Sequence, residues 1–262
     1  MKVNETLETV ELNIIDSCNR SCDFCPQSLK SYIPKTHMSL ETVERIAQQI
    51  NYYQYKKRIS ICGFGEPTLH KRINDIIKIL RTTECSVEVT TNGDLLTEEK
   101  VKQYFTDGLD FLSVSIYDKE SDMIISELLP RILQPHQYVI RKRYLNDLIK
   151  VNRIEIFDKN ILLNIHKPCN IPSYKLIIDT DGTSLLCTHD WTRKLTFGNI
   201  NVDSMETIWN NNLHHVRMRL IHGDRNFDPC VKCDIKGDLR GKESVNYFLN
   251  SSDIYSSDLK TL

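Results

Sequence analysis

Apolar residues in the first half of the chain alternate between two rhythms, a short one of period two and a longer one of period three to four, and the alternation repeats. Glu11 to Ile15 (ELNII) reads as a strand. Ser39 caps a predicted helix over Glu41 to Ile50, with Val43, Ile46, Ala47 and Ile50 on one face. Thr42 stands at the box position, so that cap is partial. Ile59 and Ile61 alternate with polar neighbours in a second strand, which Gly63 and Gly65 interrupt. A helix over Lys71 to Arg81, the strand SVEVTT and a helix over Glu98 to Asp107 follow. In the fourth strand, FLSVSIY, Leu112, Val114 and Ile116 fall on one side and Ser113, Ser115 and Tyr117 on the other. A helix over Asp122 to Leu129 and a strand over Gln137 to Arg141 extend the series, and Ile149 to Ile156 reads as further strand or loop. Successive strand–helix repeats of these lengths predict an α/β fold with a parallel sheet and right-handed crossovers.

The rhythm changes near residue 160. YKLIID-TDG-TSLLCT reads as a β-hairpin turning at Asp181-Gly182, and Ser204 to Ile221 reads as one helix. The chain is expected to divide into a core over 1–160, a small domain over 161–240 and a C-terminal tail over 241–262 that is polar from about Asn250.

Composition narrows the partners. The 262 residues carry 34 basic and 35 acidic side chains, a net charge of -1 that gives no electrostatic case for nucleic acid or an anionic membrane. No apolar run approaches the ~20 residues of a spanning helix. The first residues, MKVNETLETVE, lack the apolar centre of a signal peptide, so a cytoplasmic location is expected. Nine cysteines, seven of them in two groups, fit a reducing compartment and ligand duty better than an extracellular disulfide framework. Cys62 and Cys85 stand outside both groups and read as small buried hydrophobes, with hydrogen-atom donation a second reading for Cys62. His189, His214, His215 and His222 form no recognisable metal constellation, and Arg141 to Arg143 read as a solvated charge run.

Cys18, Cys22 and Cys25 stand in the run DSCNRSCDFCPQS at spacing C-x3-C-x2-C. Three thiolates can hold three corners of a cubic iron–sulfur cluster and leave one iron open, whereas structural zinc takes four ligands and no fourth Cys or His lies nearby. With Phe24 before the third cysteine, this loop resembles that of the radical S-adenosylmethionine (SAM) enzymes. The resemblance implies a partial (β/α)6 barrel whose [4Fe–4S] cluster is completed by SAM. It identifies Gly63, Gly65 and Glu66 (GFGEP) as the glycine-rich SAM-binding motif, with Glu66 accepting from the SAM amine. It also places Asn92 of TNG beside SAM and Ser115 at the ribose. Read alone, Asn92-Gly93 is equally a turn, and Ser115 an inert strand residue.

Cys169, Cys187, Cys230 and Cys233 form the second group, C-x12-G-x4-C followed by a helix and C-x2-C. Four thiolates make a good zinc site on ligand count alone. Their place after a radical-SAM core resembles the SPASM extensions, in the truncated form called a twitch domain, which carries one auxiliary [4Fe–4S] cluster. Together with TNGDLLTE, VNR and FGNI, the pattern is similar to the twitch-type aminocyclitol dehydrogenases, the 2-deoxy-scyllo-inosamine dehydrogenase group. That similarity implies oxidation of a secondary alcohol on a small sugar, polyol or aminocyclitol by a 5′-deoxyadenosyl radical. It also implies a second electron passing to the auxiliary cluster, a one-electron donor such as flavodoxin or ferredoxin, and Arg153 as a substrate contact and possible base. An exposed Arg in an ion pair is the plain alternative, because an Arg pKa above about 12 makes a poor base. Peptide modification by a radical-SAM enzyme is a second reading. The short segment of about ten residues before the first strand weighs against it, because leader recognition usually needs a domain. A non-enzymatic metal-binding module is the third.

Overall fold

Alternation along the strands resolves into two chemically different faces of one sheet. The computed structural model describes residues 3–29, 36–145, 167–235 and 240–251. After a short helix α1 (Val3–Thr6), five βα-type strands run parallel: β1 (Thr9–Leu12), β2 (Arg58–Ile61), β3 (Ser86–Thr91), β4 (Phe111–Ile116) and β5 (Tyr138–Lys142). The helices between them are α2 (Leu40–Tyr52), α3 (Ile73–Arg81), α4 (Glu98–Asp107) and α5 (Lys119–Ile132). Val10 pairs with Ile59 and that with Val87, while Leu12, Ile61, Val89 and Leu112 form the next row. All are buried in the core that the helices cover, at about 1.5–3 kcal/mol per side chain. Thr9, Glu11, Ser60, Thr90 and Ser115 point to the other, polar face.

Caps fix where these helices begin. Ser39 accepts from the Thr42 amide at 3.2 Å, Thr97 from Lys100 at 3.2 Å and Asp118 from Ser121 at 2.7 Å. The partial cap expected at Ser39 is therefore present, and α2 runs two residues beyond the expected Ile50.

β1 ends at Leu12, earlier than the ELNII pattern implies. Residues 13–16 turn instead towards 36–38: Met38 donates to the Ile14 carbonyl at 2.8 Å and Asp16 to that of Thr36 at 3.1 Å. The predicted segment Ile149 to Ile156, and Arg153 within it, lie outside the described residues.

The expected hairpin forms and joins the main sheet. Following α6 (Ile171–Tyr174), its first strand β6 (Lys175–Ile178) pairs parallel with β1, and β7 (Thr183–Leu185) and β8 (Thr196–Asn199) continue antiparallel. The result is one open eight-stranded sheet, ordered β5-β4-β3-β2-β1-β6-β7-β8. Gly182 makes the turn at φ +86°, a conformation that favours glycine. The helix expected over Ser204 to Ile221 divides into a wide-turned segment, Thr207–Asn212, and α7 (His214–Ile221). Within the wide segment the Asn212 side chain reaches back to the Phe197 carbonyl at 2.7 Å.

Within the expected C-terminal tail, residues 242–251 form a helix, α8 (Lys242–Ser251). Val245, Phe248 and Leu249 recur at helical spacing. Phe248 is buried against the Arg217 guanidinium, 4.1 Å from its ring centre, and the Ser244 hydroxyl donates to the Thr6 carbonyl. Among the described residues no helix is long and apolar enough to cross a membrane.

Candidate active site

The loops leaving the C-terminal ends of β1 to β4 close around a cavity of about 330 Å³. This is the sheet edge where α/β folds bind ligands. Cys18, Cys22, Cys25, Phe24, Gly63, Gly65, Glu66, Asn92 and Ser115 all line it. Residues from four different strand–loop units, singled out separately along the chain, thus share one cavity. Arg153 is not among the described residues.

Glu66 forms the best-determined corner. Its carboxylate, 2% exposed, accepts at Oε1 from the Thr68 amide (3.1 Å), the Thr68 hydroxyl (2.7 Å) and the Thr91 hydroxyl (2.5 Å). Oε2 accepts from the Asn92 amide at 2.7 Å. Donors therefore crowd one oxygen and fix the other beside the cavity, where the carboxylate can accept from an ammonium. The turn reading of Asn92-Gly93 holds. Gly93 turns the chain at φ +85°, and the Asn92 side-chain Nδ2 donates to Asn19 Oδ1 at 2.8 Å and lies 3.8 Å from the Cys18 sulfur.

Gly65 sits hard against the backbone of the cysteine loop. A Cβ there would lie 2.2 Å from the Ile15 carbonyl and 2.6 Å from that of Ser17. The close approach is to the backbone of the cysteine loop, which the Glu66 amide then binds through Ser17 at 2.8 Å. Glycine here seats one motif on the other.

Several side chains that hold the site carry no motif signal. Arg20, between the first two cysteines, pairs with Asp94 (2.5 Å) and Asp118 (2.7 Å), tying the loop to the ends of β3 and β4. Arg193 pairs with Asp16 (2.7 Å) and Asp179 (2.5 Å), and its guanidinium lies 4.7 Å from the centre of the Phe64 ring. Phe64 in turn packs on Trp191 at 4.5 Å. Tyr117 faces Phe24 at 5.6 Å, and Thr188, Trp191 and Glu11 complete the cavity wall. Strict polar alternation of Thr9, Glu11 and Asn13 was the available sign that Glu11 points inward.

Without a cation, burial pushes the Cys18 thiol up, helped by the Glu66 and Asp94 charges, and pushes Cys22 up to about 11. A metal cluster reverses this balance, because a coordinating thiol is deprotonated outright. The three thiols, the Glu66 carboxylate and the volume beside them fit a cluster with SAM on its open iron.

A Radical SAM superfamily model matches residues 12–150. The chain belongs to the radical SAM superfamily. As a radical SAM enzyme it uses SAM and [4Fe–4S] chemistry. A second family model, described as an iron-sulfur cluster-binding domain (SPASM), matches residues 169–234. The S-adenosyl-L-methionine-dependent 2-deoxy-scyllo-inosamine dehydrogenase of Niallia circulans is 25% identical over 258 residues, 94% of this chain and 100% of that relative. Among solved structures, BtrN in complex with AdoMet and 2-DOIA superposes at a TM-score of 0.77 with 24% identity, over 88% of this chain and 94% of that one. Native anSMEcpe with bound AdoMet superposes at 0.59 with 12% identity, over 96% and 98%. These two likenesses concern the fold.

The SPASM match covers the second cysteine group. Cys169, Cys187, Cys230 and Cys233 border one apolar cavity with Leu186 and Ile235. α7 holds Cys169, whose amide donates to the Leu220 carbonyl at 2.9 Å, while a single tight turn carries Cys230 and Cys233. Burial, then the charges of the neighbouring cysteines, push the Cys187 thiol up and Cys230 up to about 12, and burial pushes Cys233 up to about 11. Four cysteines bordering one apolar pocket fit an iron–sulfur cluster that takes all four as ligands.

Proposed function

We propose that this chain is a SAM-dependent dehydrogenase that oxidises a secondary alcohol of a small sugar, polyol or aminocyclitol. The observation that carries the reading is the adjacency of the two thiol sites. Cys187 belongs to the auxiliary group, and Thr188 and Trp191, next along the chain, line the cavity that holds Cys18, Cys22, Cys25 and Glu66. The full-length similarity to an aminocyclitol dehydrogenase supports the same reading.

In this account Cys18, Cys22 and Cys25 hold the SAM-binding cluster, and Cys169, Cys187, Cys230 and Cys233 the auxiliary one. Bound SAM would supply, on one-electron reduction, the radical that removes a substrate hydrogen atom, and the auxiliary cluster would supply a place for the second electron as the hydroxyl proton leaves to a base. Glu66 orients the SAM amine, Asn92 and Ser115 contact the nucleoside side, and Gly63 and Gly65 shape the loop. Phe24, Tyr117, Phe64 and Trp191 keep the cavity dry. Arg153 belongs to the substrate side as a contact. We read 1–160 as the radical-SAM core and 161–240 as the twitch unit, with a flavodoxin or ferredoxin as donor and no nucleic acid as partner. Nine free cysteines support a reducing, cytoplasmic setting.

Anaerobic reconstituted protein with SAM, a reductant and candidate aminocyclitols or sugars tests the proposal. It expects 5′-deoxyadenosine in step with a product lighter by a pair of hydrogens. Formation of 5′-deoxyadenosine with an epimerised or crosslinked product, and none lighter, would refute it.

A further inference from the structure

One buried guanidinium in the second thiol site carries an N–H with nothing to donate to. Arg225 stands between α7 and the Cys230–Cys233 turn and is 1% exposed. It lines the cavity bordered by Cys169, Cys187, Cys230 and Cys233, and is the one Lys or Arg among the described residues that do so. Nη1 donates to the Ile235 carbonyl at 2.7 Å and Nη2 to that of Pro168 at 3.2 Å. Pro168 immediately precedes Cys169, and Ile235 lies just beyond Cys233. The guanidinium therefore clasps the two ends of the ligand-bearing segment, which fixes its charge in place. Nε is buried and has no acceptor among the described residues.

A buried charged donor left unmade is costlier than a neutral one, and folded proteins keep such a group mainly where something else supplies the partner. Arg217, also fully buried, makes the contrast: its guanidinium lies 4.2 Å from the centre of the Trp209 ring and 4.1 Å from that of Phe248, so its charge faces aromatic clouds. Arg225 faces a cavity to which four cysteines bring sulfur acceptors. Burial acts most strongly on the Cys230 and Cys233 thiols and raises both; the Arg225 charge draws both down, while the buried Asp190 acts upward on Cys230 and the buried Asp234 upward on Cys233. An arginine stays protonated in such a setting. An iron–sulfur cluster becomes more negative on reduction, and its potential follows the local net charge and the hydrogen bonds to its sulfurs.

We propose that Arg225 sets the reduction potential of the auxiliary cluster, its fixed charge and its Nε–H stabilising the more negative, reduced state. This rests on the four-cysteine ligand set assigned above and deepens it. In the dehydrogenase reading the electron is the one left on the substrate after its hydrogen atom has gone to the 5′-deoxyadenosyl radical and its hydroxyl proton to a base. The substrate is then oxidised by two electrons and the cluster reduced by one. Arg225 touches neither substrate nor SAM in this account; it is a positioning residue that acts through the cluster.

Film voltammetry of the full, cluster-loaded chain under anaerobic conditions reads the potential, and the Cys18→Ala/Cys22→Ala/Cys25→Ala protein identifies the auxiliary wave. In Arg225→Gln that wave moves to lower potential by about 59 mV or more, a tenfold change in a one-electron equilibrium, while the SAM-side wave stays in place. Arg225→Lys, which keeps the charge but not Nε, falls between Arg225→Gln and the wild type. Because loss of the clasp can also cost the cluster, a second measurement uses the wild-type protein grown on arginine isotopically labelled at the guanidinium nitrogens. Pulsed EPR of its reduced auxiliary cluster detects coupling to the label. An auxiliary wave at the wild-type potential in Arg225→Gln, or no coupling to the label in the wild type, would overturn the tuning role and leave the ligand set standing. A wild-type protein without a second wave would overturn both. A shifted wave in an enzyme that forms no oxidised product from any candidate alcohol would sink the dehydrogenase reading and leave the tuning role standing.

Discussion

Removing the Arg193 guanidinium should unfasten the two halves of the site from one another. Asp16 lies two residues before Cys18, Asp179 directly follows β6, and both carboxylates are essentially inaccessible at 0% and 1%. Arg193 bridges them from a side chain itself only 9% exposed. In Arg193→Met the apolar bulk stays while two buried carboxylates lose their cation. Asp179 keeps the Asn13 side chain, 2.6 Å away, as a donor. Breaking a buried pair by removing one partner costs about 3–5 kcal/mol. The lost contact with the Phe64 ring adds about 0.5–2 kcal/mol, less than additively because the groups touch. Against a total stability of about 5–15 kcal/mol, that leaves a marginal protein. Anaerobic urea unfolding of the cluster-loaded protein measures it. Restoring neutrality with Asp16→Asn and Asp179→Asn in the Arg193→Met background should recover more than half of the loss. A loss under about 1 kcal/mol for Arg193→Met alone would refute the reasoning, because that is the scale of an exposed pair.

Two further outcomes follow from local geometry. Gly65→Ala should prevent stable loading of the SAM-side cluster while sparing the auxiliary one, because the new methyl meets two backbone carbonyls that cannot swing away; iron analysis should find about half the wild-type content, and full content would contradict the close approach. His70 is buried, with Nδ1 accepting from the Arg72 amide and Nε2 donating to the Met38 carbonyl, each at 3.1 Å, so it is held neutral, and burial lowers its pKa below 6.5. The unfolded chain then binds the extra proton, so stability should fall as pH drops below about 6.5. Unfolding measured between pH 7.5 and 5.5 should show a smaller decline for His70→Gln, and equal slopes would exclude this cause.

The βα rhythm was legible because buried Val, Leu and Ile alternate with polar residues on the strands and recur at helical spacing between them. The two cysteine groups were legible because cysteine spacing is a local property, fixed by the turn each pair must make. What spacing could not give was register. That β6 pairs with β1, carrying the auxiliary hairpin onto the main sheet, is a contact between residues more than 160 positions apart, and no local pattern encodes it. The ion pairs of Arg20 and Arg193 were hidden for the same reason: a single Arg in a loop looks solvated until its carboxylates are seen. α8 was missed because its apolar triad, Val245, Phe248 and Leu249, is short and sits in a polar stretch.

The central claim is that two thiol sites serve one cavity, the first starting an oxidation and the second completing it. A Cys230→Ala/Cys233→Ala protein tests this most directly, with 5′-deoxyadenosine and oxidised product quantified in the same anaerobic reaction. The account predicts a protein lacking about four irons per chain that still cleaves SAM but no longer forms the oxidised product. Oxidised product at the wild-type ratio to 5′-deoxyadenosine would contradict it.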